Sequence, residues 1–395
     1  MSSTTAGDRA VNELPEGSPL PLLIIRHFHE MPDPRINRRR PHLLVDILTI
    51  GLCTLVAGGE HFTDMEAFGK AKEKWLRTFL KLPEGIPSHD TFTRVFSAID
   101  PAAFLDCFVR WVRAACPSLD GEVVAIDGKA LRHALNEGDS IPFIVSAWAS
   151  KSGLALGQVK VNDKSNEITA IPELLDAIDL DGCVVTIDAM GCQKKIAALI
   201  ADKKADYVLA LKGNHATVLE EIEAFFADAV APCATRAADC VAPGTMDFFK
   251  TRDKDHGRLE TRCCWQSTDI DWFEDKPLWK HLRSIGMVES IRKVKGKSSV
   301  ERRFFLSSLP LNAQNFAEAV RGHWGVENAL HWTLDVTFRE DYSRARTKHA
   351  AQNMATLRRI ALNLIKNGPP RKNSLRQRRL LAALDDSYLG ELLGI

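Results

Sequence analysis

Two apolar stretches of this chain end in the same way, with an aspartate directly after a run of apolar and β-branched residues. They are VVAID at residues 123–127 and VVTID at residues 184–188. Each run predicts a buried strand, and an ionised carboxylate at its end costs free energy unless a cation meets it. Where two such strands lie side by side, Asp127 and Asp188 approach each other and repel. A divalent ion resolves that repulsion, and Mg2+ accepts carboxylate and phosphate oxygens together.

A plainer interpretation makes each aspartate a helix N-cap or a turn residue after a strand. The flanking residues favour the metal site. Lys129 follows Asp127 by two positions, and the strand DYVLAL leads into Lys212 and Asn214. Positive side chains beside a metal-carboxylate site suit an anionic substrate such as a nucleic-acid backbone. Two ions in one site can clamp the attacking and leaving oxygens of a phosphodiester.

The region around the two aspartates alternates between strand and helix patterns. The predicted strands are EVVAIDG, PFIVSAWAS, LALGQVKV, GCVVTIDA and DYVLALKGN, the second and third forming a hairpin. The predicted helices are PELLDAIDL, with Pro172 near its first turn, QKKIAALIADKKA and HATVLEEIEAFFADAV. This order predicts an α/β fold, with a mixed sheet covered by helices.

The length of 395 residues favours two or three domains. We predict a disordered tail at residues 1–20, an all-helical N-terminal domain at 21–118, the first part of the α/β core at 119–232, a β-rich insertion at 233–309, a helical completion of the core at 310–366 and a basic C-terminal tail at 367–395. The basic run in that tail, RKNSLRQRR, is either a DNA-backbone contact or a solvated segment.

The N-terminal domain contains one candidate DNA-binding motif. In GIPSHDTFTRVFSAI, Ser88 is the predicted N-cap of a short helix that carries Arg94. Two helices joined by a Pro/Gly turn form either a helix-turn-helix or part of a plain bundle, and both interpretations stay open. The run RINRRRP at residues 35–41 adds local positive charge.

Composition excludes several other classes of protein. The net charge of +1 gives no global field for nucleic acid, so only local charge argues for it. Nine cysteines without CxxC spacing indicate reduced cysteines in a cytoplasmic protein. The longest apolar run, from Leu43, contains Asp46 and is short against the roughly 20 residues that cross a bilayer, so it predicts a buried helix and no membrane partner.

Several long motifs of the chain resemble one bacterial transposase family, in the same order. They are AIDGKALRHA, TIDAMGCQKKIA, DYVLALKGNH, HGRLETR and RGHWGVENALHWTLDVTFRED, preceded by DPRINRRRPHLLVDIL and LPEGIPSHDTFTRVF. The chain resembles the DDE transposases of insertion sequences of the ISAs type, which include the H-repeat-associated proteins of Rhs elements. The resemblance extends from about residue 25 to 366 and implies an RNase H-like core, flanked here by the helical domain and the β-rich insertion.

The resemblance also implies a triad of metal ligands. Its catalytic acids would be Asp127, Asp188 and Glu327, the last in HWGVEN. They would hold two Mg2+ ions, for which Mn2+ may substitute. A lone helical Glu is more often solvated, but His323, Asn328, His331 and Trp332 surround this one. Asp335, about two turns further on, is the alternative third acid.

The expected partners are the terminal inverted repeats of the transposon and target DNA, bound by a homodimer. Candidate DNA-binding residues are Lys129, Arg132, Lys212, Asn214, His256, Arg258, Arg262, Arg321, His323, Trp324 and Asn328. The stripe in HGRLETR has an alternative, an exposed polar strand face paired with Glu260.

The chain departs from a related branch of transposases at the third acid. That branch carries Y-x2-R-x3-E-x6-K, and the corresponding positions here are Val320, His323 and Leu334. Arg321 and Arg339 are the cations nearest in sequence that would replace the missing ones.

The function predicted from all of these features is a DNA transposase that cleaves transposon ends and transfers the 3′-hydroxyl to target DNA. Two alternatives stay open. One is a metal-dependent nuclease without strand transfer, and the other is a non-catalytic DNA-binding remnant of a transposase.

Overall fold

The computed structural model describes residues 24–35, 41–131, 143–161, 167–230, 244–255, 258–294 and 297–395. Within these ranges nine strands form one sheet, in the order β3-β2-β1-β4-β5-β9-β8-β7-β6. The strands are β1 Val123–Ala130, β2 Phe143–Ala149, β3 Leu154–Val161, β4 Val184–Ile187, β5 Asp206–Leu211, β6 Met246–Asp255, β7 Arg258–Ser267, β8 Ser284–Val294 and β9 Lys297–Ser307.

The first five strands form the core of the sheet. Strands β1, β2 and β3 are antiparallel neighbours, whereas β4 lies parallel to β1 and β5 parallel to β4. This order, 3-2-1-4-5 with these strand directions, is that of an RNase H-like fold. The α/β class with a mixed sheet is therefore confirmed, and the carboxyl ends of β1, β4 and β5 meet at one edge.

Strands β6 to β9 extend the same sheet on the far side of β5. They form an antiparallel meander, and β9 joins β5 through the pairs from Val208 with Ser307 to Leu211 with Phe304. The strands of the predicted insertion therefore continue the core sheet. Residues 1–23 and 231–243, which include the predicted tail and the start of the insertion, lie outside the described residues.

The N-terminal region is helical, as predicted. Its helices are α1 Ile24–His29, α2 Leu44–Val56, α3 Phe62–Leu76, α4 His89–Ala98 and α5 Pro101–Ala115. Ser88 caps α4, accepting a hydrogen bond from the Thr91 amide over 3.4 Å. All of α2 is buried, and the Asp46 carboxylate accepts from the Leu82 amide over 3.0 Å. The described helices include none that is both long and apolar enough to cross a membrane.

Three helices connect the core strands. They are α6 Glu167–Ala177, α7 Lys194–Asp202 and α8 Ala216–Val230. Pro172 was predicted near the first turn of α6 but lies inside it, because the helix already begins at Glu167.

The C-terminal part completes the core. Helix α9 Ala313–Gly325 continues through a π-helical segment, Val326–His331, into α10 Trp332–Val336, and α11 Ala350–Asn367, α12 Leu375–Leu384 and α13 Asp386–Leu393 follow. Helix α11 is buried along most of its length and contacts α2, α4, α5 and β3, so the N-terminal helices and the sheet share one core.

The basic segment at residues 367–395 is also packed onto this core. Arg378 and Arg379 in α12 are buried, and Arg379 donates to the carbonyl of Leu55 in α2 over 2.8 Å. Arg379 therefore holds the C-terminal helices on the N-terminal ones, whereas Arg378 donates to the Tyr388 hydroxyl over 2.9 Å within the C-terminal segment.

Candidate active site at the carboxyl edge of the sheet

Asp127 and Asp188 lie at neighbouring positions on adjacent parallel strands. The register of β1 and β4 pairs Ile126 with Ile187, so the next residues are Asp127 in β1 and Asp188 directly after the end of β4. Parallel strands lie about 4.8 Å apart, and paired residues point to the same face. Both side chains are partly buried. The sheet thus brings the two aspartates to the same edge, the position from which the sequence predicts a metal site.

The loop after β4 holds Asp188 firmly. Its Oδ1 accepts a hydrogen bond from the Met190 amide over 3.0 Å, which caps the short turn Ala189–Gly191. Asn214, on the loop after β5, donates from Nδ2 to the Ala189 carbonyl over 2.7 Å. Asp188 is therefore a cap as well as a candidate ligand, and Asn214 ties the two loops together.

A cavity of about 550 Å3 brings the third predicted acid to the two aspartates. Asp127, Asp188 and Glu327 all line it. Glu327 is exposed and lies in the π-helical segment, whereas Asp127 is 20% exposed. Insertions of this kind within α-helices are frequent at functional sites.

Gly322 lets the helix of Glu327 approach the sheet closely. A Cβ added at Gly322 would lie 2.8 Å from Cγ1 of Val123 in β1. The Gly322 carbonyl also accepts a hydrogen bond from the hydroxyl of Ser150 over 2.7 Å. At Gly325 the nearest atom to an added Cβ would be 3.4 Å away, an ordinary contact. The sequence RGHWGVEN contains this signal, which the sequence analysis did not use.

The wall of the cavity on β5 and β9 contains both cations and an acid, Glu301, which accepts a hydrogen bond from Arg303 over 2.8 Å. Lys212 is exposed at the end of β5, and Arg302 and Arg303 come from β9, residues that the sequence analysis did not select. The Arg303 guanidinium lies 4.7 Å from the ring centroid of Trp324. Cations at this wall face the same space as the acids, which suits a phosphate-bearing substrate.

His323 lies in the same cavity, with Nδ1 3.1 Å from the hydroxyl of Thr186. Burial lowers its pKa, and Asp188 opposes that shift only in part. His331 lies on the other side, with Nδ1 3.5 Å from a carboxylate oxygen of Asp127. Burial, Arg359 and Lys129 lower the pKa of His331 to about 3, so its ring is neutral near pH 7.

The Lys129 ammonium lies within a cluster of carboxylates. Its side chain is 9% exposed, and its ammonium donates to Asp335 and, over 3.0 Å, to Glu340. Asp341 lies 3.6 Å from the same nitrogen. The predicted contact of Lys129 with DNA does not fit this arrangement, because three carboxylates already surround the charge.

The same ion pair bears on the choice of third acid. The Asp335 carboxylate is bound to Lys129, and Asp335 is absent from the lining of the cavity. Glu327 lines it. The geometry therefore favours Glu327 over Asp335.

The other predicted DNA contacts fall into three groups. Arg262 and Arg321 both bind Asp253, over 2.8 and 3.0 Å, and Arg262 is also 2.9 Å from Glu260, the pairing named as the alternative. Asn328 is exposed beside Glu327. Arg132 and His256 lie outside the described residues, as does the side chain of Arg258.

The donor chemistry of the cavity fits a divalent ion, with carboxylate oxygens as Mg2+ prefers. Among the described residues, however, no three His, Cys, Asp or Glu side chains stand close enough to hold a metal together. The two aspartates form the fixed part of the candidate site, and Glu327 faces them from the helix.

Comparison with known protein families identifies the family to which this chain belongs. The model described as "Transposase DDE domain" matches residues 118–364, and the model described as "DDE_Tnp_1-associated" matches residues 25–112. The chain belongs to the DDE transposase family. The match to residues 118–364 covers the sheet and the helix of Glu327, and the match to residues 25–112 covers the N-terminal helices.

Named relatives of this DDE transposase are similar over most of their length. "Putative transposase YncI" of Escherichia coli O157:H7 is 38% identical over 94% of this chain and 94% of its own. "H repeat-associated putative transposase YhhI" of Escherichia coli (strain K12) is 37% identical over 94% of this chain and 97% of its own. These names agree with the family predicted from the motifs.

A solved structure is also similar to this DDE transposase. It is a cryo-EM structure of the piggyBac transposase synaptic complex with hairpin DNA, with 13% identity and a TM-score of 0.42. The match covers 95% of this chain and 81% of the other.

Proposed function

We propose that this transposase cleaves the ends of its element and joins the freed 3′-hydroxyl to target DNA. The observation that carries the proposal is that Asp127, Asp188 and Glu327 line one cavity together with Lys212 and Arg303. The partners proposed are the terminal inverted repeats and target DNA, bound by a homodimer.

The three acids would hold divalent ions, with Mg2+ expected and Mn2+ as a substitute. When bound, two such ions lower the barrier to phosphodiester exchange by neutralising the charge on the attacking and leaving oxygens.

The protein's own side chains would position the DNA in the cavity. Lys212 and Arg303 face the space in front of the two aspartates and would bind the phosphates on either side of the reacting one. Trp324, beside Arg303, offers a flat surface at the same wall. Such contacts hold the reacting groups in line, and positioning of this kind contributes several kcal/mol to catalysis.

The other polar residues would set the geometry of the acids. Asn214 fixes the loop of Asp188, and His323 links the helix of Glu327 to Thr186 on β4. Asn328 and Arg321, exposed on this helix, remain candidate DNA contacts. The chain needs no protein nucleophile, because water and then the 3′-hydroxyl serve as nucleophiles.

The test uses purified protein and labelled DNA that carries the element's own terminal repeat, with Mg2+ or with EDTA. We expect metal-dependent nicking at the repeat boundary and joining of the nicked end to a second duplex. Asp188→Asn should abolish both reactions. Asp181→Asn, an exposed change before the same strand, is the matched control and should leave both intact.

Other outcomes would replace the proposal. Nicking without joining would indicate a nuclease. DNA binding without nicking would indicate a non-catalytic remnant. Equal nicking by Asp188→Asn and the control would contradict the site itself.

A further inference from the structure

In the segment Arg339–His349, between α10 and α11, the acidic side chains point inward and the basic side chains point outward. Its two acids, Glu340 and Asp341, face inward onto Lys129, and Glu340 also binds Arg359 over 3.0 Å. The acids are thus neutralised beneath the surface. The sequence of the segment mixes both signs, but its outer surface does not.

The cations of the same segment face outward. Exposed along it are Arg339, Arg344, Arg346 and Lys348. Arg339 and Lys348 adopt positive φ values of 49° and 46°, which non-glycine residues rarely do. A run of outward cations over inward acids gives this surface a net positive charge, although Glu60 lies 3.7 Å from the Arg339 guanidinium.

Exposed aromatic rings accompany these cations. Tyr342 is 57% exposed, with the Arg339 guanidinium 5.0 Å from its ring centroid. The turn Glu340–Tyr342 contacts α10, where Trp332 is 59% exposed. Large exposed rings beside cations are typical of surfaces that bind nucleic acid by stacking and backbone contact.

The buried ion pairs fix where this surface lies. Lys129 is two residues beyond Asp127 on β1, and Arg359 reaches the Ser146 hydroxyl on β2 over 3.1 Å. The segment therefore sits over β1 and β2, beside Asp127. Lys212 and Arg303 lie on the opposite side of that aspartate, on β5 and β9.

We propose that Arg339–His349, together with Trp332, binds a DNA strand that leaves the cavity on the β1–β2 side of Asp127, and that Trp332 stacks on an unpaired base of it. This inference rests on the proposed action of the chain on DNA. It adds a second DNA-binding surface to the one proposed for Lys212 and Arg303 on β5 and β9.

The test measures DNA affinity by fluorescence anisotropy at several salt concentrations. The full chain carries Asp188→Asn throughout, so that no cleavage occurs. The probes are a blunt duplex and the same duplex with a single-stranded 3′ extension. Arg344→Gln with Lys348→Gln removes two outward charges. The matched control, Lys151→Gln with Lys204→Gln, removes two exposed charges at the opposite edge of the sheet.

We expect the double variant of the segment to lower the slope of log affinity against log salt by about two, one for each phosphate contact, and the control to leave it unchanged. Trp332→Ala should weaken binding of the extended duplex by roughly tenfold and leave binding of the blunt duplex unchanged. Thermal unfolding checks that each variant is folded.

Three outcomes would overturn the inference. Equal salt slopes for the segment variant and the control would remove the phosphate contacts, and equal effects of Trp332→Ala on both probes would remove the stacking. A change in oligomeric state without a change in affinity would assign the surface to a second copy of the chain. No DNA binding by the parent chain would instead contradict the proposed function.

Discussion

Lys129 on β1 donates a hydrogen bond to Glu340 over 3.0 Å, with side chains that are 9% and 0% exposed. The pair joins the strand of Asp127 to the segment that follows the helix of Glu327. Lys129 is therefore a positioning residue, which holds two candidate metal ligands in register without touching the cavity itself.

Lys129→Met should lower the free energy of unfolding by about 3 kcal/mol, the lower end of the cost of breaking a buried ion pair, because Glu340 keeps Arg359 as a partner while the cation beside Asp335 is lost. Urea denaturation measures this. Lys204→Met, at a side chain that is 79% exposed, should change the free energy by less than about 0.5 kcal/mol. Equal effects of the two changes would show that the ion cluster does not stabilise the fold.

Stability should depend on acid pH through Glu340. Burial alone would raise the pKa of this carboxyl, but Arg359 and Lys129 outweigh burial and lower the pKa from 4.5 to about 2. The unfolded chain then binds the proton more readily than the folded one. The stabilisation is complete above about pH 4.5 and is lost as the pH falls towards 2.

Glu340→Gln tests this pH dependence. The difference in free energy of unfolding between the wild type and the variant should shrink steadily as the pH falls through that range. A difference that stays constant with pH would show that the Glu340 carboxyl is not ionised in the folded protein.

Gly322→Ala should reduce cleavage more than it reduces stability. The new Cβ would lie 2.8 Å from Val123, so it would push the helix of Glu327 away from β1. Overpacking of this kind costs about 1–3 kcal/mol. Gly325→Ala, one turn later, meets only ordinary contacts and serves as the control. Nicking rates and thermal unfolding of both variants separate the two effects, and equal nicking by both would contradict this positioning.

Arg303→Gln should weaken DNA binding at all sequences alike, because a phosphate contact reads no bases. Loss of one contact lowers the salt slope by about one. Anisotropy with duplexes of two unrelated sequences measures both quantities. Lys204→Gln should alter neither. A loss confined to one of the two sequences would instead give Arg303 a role in base recognition.

The position of the two aspartates at one edge of the sheet could be predicted from the sequence because the signal is local. An apolar strand that ends in Asp appears twice, and parallel pairing of β1 and β4 brings the ends together. Glu327 is different, since an isolated helical Glu carries no such signal. It became a candidate through the family resemblance, and its place in the cavity depends on packing that begins at Gly322.

The ion pairs of Lys129 could not be predicted from the residues near it in the sequence. Its partners Asp335 and Glu340 are 206 and 211 residues away in the chain, and a pairing at that separation leaves no pattern beside Lys129. The same holds for Arg379 in the basic C-terminal segment. Its partner, the Leu55 carbonyl, is 324 residues away. Charge alone suggested DNA contact for both residues, and burial gives both a structural role.

The most direct test of the account is divalent-ion binding to the DNA-bound protein. Isothermal titration with Mg2+ compares the wild type with Asp127→Asn, Asp188→Asn and Glu327→Gln. Glu318→Gln, an exposed change on the same helix as Glu327, is the control. We predict that each of the three variants weakens Mg2+ binding at least tenfold and that the control binds as the wild type does. Unchanged Mg2+ binding by Asp127→Asn and Asp188→Asn would contradict the metal site on which the account rests.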